Sequence, residues 1–139
     1  MSEGYNETID KIFNIALKSF GATNNIDVAL ENSNYEPNVA APYLAGYMLP
    51  APTESADLYF TDRRSGIYQI DVAYPSNEGT AAINRMIDLL NIAFKPSTTL
   101  TRNDICVEVT NFSAERVTIN DGWAIKPISL TWVTYTERL

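Results

Sequence analysis

Arg63 and Arg64 stand beside Asp62 at the head of the stretch RRSGIYQIDVAYP. Paired guanidinium groups next to a carboxylate can serve a catalytic loop. They can also grip a phosphate or carboxylate through parallel hydrogen bonds, or join two protein surfaces. Local sequence leaves all three readings open. Other carboxylates, Glu54 and Asp57, lie just upstream, but in a polar stretch where solvated acids are ordinary. Asp71 falls inside a strand pattern on its mixed face and reads as exposed. Cys106 is the single cysteine; it flanks an apolar face and reads as a small filler. The chain contains no histidine. That removes the commonest general base, the Ser-His and Cys-His pairs and most zinc sites. No Gly-rich phosphate loop, nucleophile elbow, paired-cysteine site or calcium loop is present either. The residue chemistry therefore points to a binding or structural protein without catalysis, and neither a cofactor nor a structural metal is expected.

Tyr59 and Phe60 are the aromatics that fit no core pattern, because they occur in the polar Ala51–Ser65 segment. They either fold that loop back on its own domain or form a contact arm. An aromatic pair near arginines has the composition of an interface centre.

The elements that must position these residues follow from periodicity. Ile9, Ile12, Phe13, Ala16, Leu17 and Phe20 keep the spacing of an amphipathic helix, with Asn6 as its cap and Gly21 as its stop. Strands are expected over about Ile26 to Glu31, Pro42 to Pro50, and Ile67 to Tyr74. In the last of these, Tyr68, Ile70, Val72 and Tyr74 share the core face. Ala51–Ser65 is a long turn or an extended hairpin arm, expected to be mobile in the free subunit and ordered on assembly. A second helix starts at Ser76–Gly79, carries Ile83, Met86, Ile87, Leu90 and Phe94 on one stripe, and ends at Lys95-Pro96. Beyond it the period is two: Ile105, Val107 and Val109 alternate with polar residues, Arg116 to Asn120 is a short strand, and Asn120-Asp121-Gly122 is a hairpin turn. In the final strand the apolar parity switches between Ile125 and Ile128, which predicts a β-bulge at Lys126-Pro127. The expected architecture is α+β: a mostly antiparallel sheet of about five to six strands with two helices packed on one face.

At 139 residues the chain is expected to form a single domain, residues 1–139. Its composition, 45% hydrophobic and 19% charged, is that of a globular protein. The formal net charge of −7 argues against gripping nucleic acid. No apolar run approaches the ~18 residues of a membrane span, and the acidic N-terminal sequence does not read as a secretory signal.

The chain resembles the tail terminator family of long-tailed bacteriophages, the group of the lambda minor tail protein U. The residues that carry the likeness are R-x-G-I-Y-Q-I at Arg64 to Ile70, Glu31-Asn32 after a short strand, PYL and a later LP between Pro42 and Pro50, and W-x-x-x-P at Trp123 to Pro127. Leu30 stands where family members usually carry a tryptophan or another bulky residue. The resemblance implies a non-enzymatic virion protein assembled in the bacterial cytoplasm. Such a protein forms a ring, typically a hexamer, on the last ring of the tail tube protein. It stops tube growth and presents a surface to the head-tail connector or completion protein, while DNA passes through its lumen without specific binding. On that reading Asp57, Tyr59, Phe60, Asp62, Arg63 and Arg64 make a contact between subunits or with the tube. Another neck or tail-completion protein, or a small α+β ligand-binding module, would be the alternative.

Overall fold

Helix α1 spans Tyr5–Asn24 in the computed structural model, which describes residues 4–30, 41–50, 54–55, 61–76, 80–120 and 122–137. Ile9, Ile12, Phe13, Leu17 and Phe20 are buried, as their spacing requires. Both helix ends differ from the sequence reading. Gly4 is the N-cap with no side-chain cap bond, and Asn6 lies within the first turn. At the other end Asn25 adopts a left-handed conformation, φ 56°, and its N–H bonds the Gly21 carbonyl. Gly21 serves packing instead. A Cβ there would lie 2.5 Å from Val28 Cγ2 and 2.7 Å from the Ile26 carbonyl oxygen. Only glycine lets α1 turn this tightly into strand β1, Asp27–Leu30.

The sheet contains β1, β2 (Tyr43–Pro50), β4 (Thr61–Pro75), β8 (Trp123–Glu137), β6 (Ile105–Ala114) and β5 (Thr99–Arg102), in that spatial order. Two short strands, β3 (Glu54–Ser55) and β7 (Thr118–Asn120), pair with β4 and β8. The sheet is mixed: β1 and β2 run parallel, while the other pairs are antiparallel. Helix α1 packs against β1 and β2 near one edge and against β5 and β6 near the other, so the sheet curls around it. Helix α2, Thr80–Ala93, lies on the same side over β4, with Ile83, Met86, Ile87, Leu90 and the following Phe94 buried. The α+β expectation with both helices on one face holds.

At the centre of the core Phe13 stacks on Tyr68 with centroids 4.9 Å apart and lies 6.0 Å from Trp132. The Tyr68 hydroxyl donates to Asn14 Oδ1 at 2.8 Å. Gly46 opens the space for it, since a Cβ there would overlap the hydroxyl and sit 2.9 Å from Leu17 Cδ2. A residue unfavourable for strand propensity is thus required by the aromatic packed over it.

The predicted bulge at Lys126-Pro127 is not there. Strand β8 pairs with β4 in one unbroken register from Thr61↔Glu137 to Pro75↔Trp123. Ala124, Ile128, Leu130 and Trp132 hold the core parity throughout. Trp123 lies on the far face and meets Tyr43 edge-on at 5.1 Å. The switch in apolar parity reflects a strand end that is apolar on both faces. The irregularity falls in β6, between Val109 and Asn111, where the extra residue places Phe112 opposite Leu130. Cys106 is also corrected: it is exposed on β6 between buried Ile105 and Val107, so it fills no core space.

Candidate assembly surfaces

Asp62, Arg63 and Arg64 lie at the start of β4, where it pairs on one side with β8 and on the other with β3. The pleat sends neighbouring side chains to opposite faces. Arg64 is on the helix side and is held by its own subunit. Its Nε donates to Thr136 Oγ1 at 3.0 Å, one terminal nitrogen reaches Asn6 Oδ1 at 3.5 Å, and the guanidinium lies 4.9 Å from the centroid of the Tyr5 ring. All these partners are neutral, and among the described residues no carboxylate pairs with Arg64. A planar cation is fixed in orientation while its charge stays available. Arg63 faces the other side, opposite Tyr135 in the register, and reaches Ser65 Oγ at 3.5 Å. Adjacent in sequence, the two arginines serve different faces. Asp57, Tyr59 and Phe60, with most of the Ala51–Ser65 segment and its expected ordering, lie outside the described residues.

The sheet face away from the helices carries an apolar diagonal that the sequence reading did not single out. Leu49 and Ile67 are directly opposed, Tyr47 is two residues along β2, and Val133 and Tyr135 continue the line on β8. Leu49 is 52% exposed and Tyr135 59%. Their signal was the apolar residue at odd positions of strands whose even positions already filled the core. Asp71 is half-buried on this face, accepting a bond from Gln69 Nε2 at 2.8 Å. The phenol of Tyr43 is pushed above its ordinary pKa, first by burial and then by the Asp71 charge.

The helix layer holds a second apolar surface. A groove of about 430 Å³ runs between α1 and α2, lined by Ala16, Phe20, Leu89, Ile92 and Phe94 and closed at one side by Leu100 of β5. A smaller pocket of about 320 Å³ shares Ala16, Ser19 and Leu100 with it and reaches Ile12 and Ile15 along α1. Ile92 is 72% exposed. Leu89 and Ile92 lie off the buried stripe of α2, which is where sequence could have flagged them. Among the described residues no three histidine, cysteine or carboxylate side chains cluster as a metal site, and no helix is long and apolar enough to cross a membrane.

The family model described as phage tail terminator protein matches residues 8–132. One solved structure, of a protein described without a function, is 25% identical and superposes with a TM-score of 0.77 over 95% of this chain and 96% of that one. A chain in the solved virion of a native gene transfer agent particle is 14% identical, with a TM-score of 0.59 over 98% of this chain and 99% of its own, which is a likeness of fold. No curated protein matches the chain.

Proposed function

The chain belongs to the phage tail terminator family, a family of structural virion proteins, and from that premise we propose that it closes the growing end of a phage tail tube as a homo-oligomeric ring. Six copies is the number the family resemblance favours. On this reading the ring seats on the last ring of tube protein, ends its polymerisation, and offers its other side to the head connector. The supporting observation is Arg64. Its guanidinium is oriented by Thr136, Asn6 and Tyr5 of its own subunit yet has no carboxylate there among the described residues. In a chain of net charge −7, such a cation is poised for an acid of another chain, such as Asp57 or Asp62 of a neighbour. An exposed pair of this kind contributes about 1 kcal/mol at most, and more where water is excluded.

The test is tail length. A phage lacking this gene should make tubes of uncontrolled length, and supplying the protein should restore uniform ones in electron micrographs. Uniform tails without the gene would overturn the reading.

A further inference from the structure

Two unlike apolar surfaces on one chain raise the question of what covers them. The sheet diagonal of Tyr47, Leu49, Ile67 and Tyr135 and the helix-layer surface around Leu89 and Ile92 lie on opposite sides of the subunit. Contiguous exposed apolar groups on a soluble chain mark contact sites. The charges around the two surfaces are complementary. On the α2 side of the groove, exposed Arg85, Asp88 and Lys95 lie within one turn of the lining residues Leu89 and Phe94, two bases to one acid, whereas the open sheet face carries Asp27, Asp71 and Glu108 against Arg63. A symmetric dimer would cover one kind of surface twice and leave the other bare. Head-to-tail contact covers both with copies of the same chain, and it is the contact type from which closed rings are built.

We propose that the open sheet face of one copy seats on the α1–α2 groove of the next, with Leu49 and Ile67 against Leu89 and Ile92 and with acids of the sheet face meeting bases of the helix face. This inference rests on the ring reading and names the surfaces that make the ring.

The experiment uses two variants of the full chain, Leu49→Asp on the sheet face and Ile92→Asp on the helix face. Both sites are exposed, and unchanged thermal unfolding confirms that each variant folds. The parent is followed by sedimentation over a concentration series, alone and on purified tail tubes. Each variant alone should need a concentration about tenfold higher or more for self-association. Mixed together, the two should form a heterodimer and nothing larger, because one intact sheet face and one intact groove remain between them. A second readout places cysteines at Leu49 and Ile92 in a Cys106→Ser background; oxidation should link successive subunits. Variants that assemble like the parent, a mixture that forms no heterodimer, or an absence of cross-links would overturn the inference while leaving the ring itself standing. A parent that forms no oligomer, alone or on tubes, would overturn the ring reading and this inference with it.

Discussion

On the proposed reading Arg64 has two partly separable duties. Within its subunit it ties the first turn of α1 to β8 through Asn6, Tyr5 and Thr136. Arg64→Lys keeps the charge but loses the planar fork and its stacking, so the subunit should lose about 1–2 kcal/mol of stability. Arg64→Glu should lose a similar amount and, in addition, weaken assembly several-fold more than the lysine variant does. Thermal unfolding read beside sedimentation separates the two; equal assembly defects in both variants would confine Arg64 to its own subunit. Tyr43 gives a pH prediction. Its folded-state pKa lies above the unfolded value of about 10, so the folded protein holds the phenol proton more tightly. That stabilising contribution is fully present below pH 10 and is lost as pH rises through the folded pKa. Urea midpoints should therefore fall above pH 10, and Tyr43→Phe should flatten that fall. An identical alkaline decline in the variant would assign it to other groups.

Among the elements, those with one buried face were readable. The stripe of α1, the stripe of α2 and the alternation of Ile105, Val107 and Val109 all face the core as their spacing requires. Strand β5 was missed because its four residues, Thr99–Arg102, offer a single partly buried leucine shortly after the proline that follows α2. The helix stop was misplaced because Gly21 has the residue type of a C-cap but the role of a close-approach site. The bulge was misplaced because parity was read on the assumption that one face of β8 must be polar. The unbroken ladder makes a sharp forecast: one alanine inserted between Lys126 and Pro127 must either slip the register or eject a residue. The loss should exceed about 4 kcal/mol, beyond the range of ordinary single changes. Deleting Thr110, which takes out the irregularity in β6, keeps the parity of Phe112 and should cost far less. Comparable denaturant midpoints for the two variants would count against this assignment.

For the whole molecule, periodicity tells which residues share a face but not which faces another chain will cover. The apolar diagonal and the helix groove thus emerged only once the strands were ordered and both helices were placed on one side. Asp62, Arg63 and Arg64 were legible as a cluster, yet the split of the two arginines between faces depended on the parity of β4. Charge is the one whole-molecule property that sequence states outright. If the chain forms the proposed ring around the path of a genome, its net charge of −7 should leave the lumen neutral or negative. Labelled duplex DNA should show no binding tighter than about 10⁻⁴ M by anisotropy at physiological salt. Tighter, steeply salt-dependent binding would require a basic lining.

The β4–β8 ladder also sets an order of events during synthesis. It joins the middle of the chain to its far end, so β4 emerges from the ribosome seconds before its main partner exists, at about 5–20 residues per second. Until then β4 has only β2 and β3 beside it, Phe13 lacks Trp132, and the inner edge of this 15-residue strand is bare. Closure must await nearly the whole chain, the signature of a slow folder dominated by distant contacts. The nascent subunit therefore passes through a stage in which a hairpin and a helix wait with an open edge, and in that interval misassociation competes with folding.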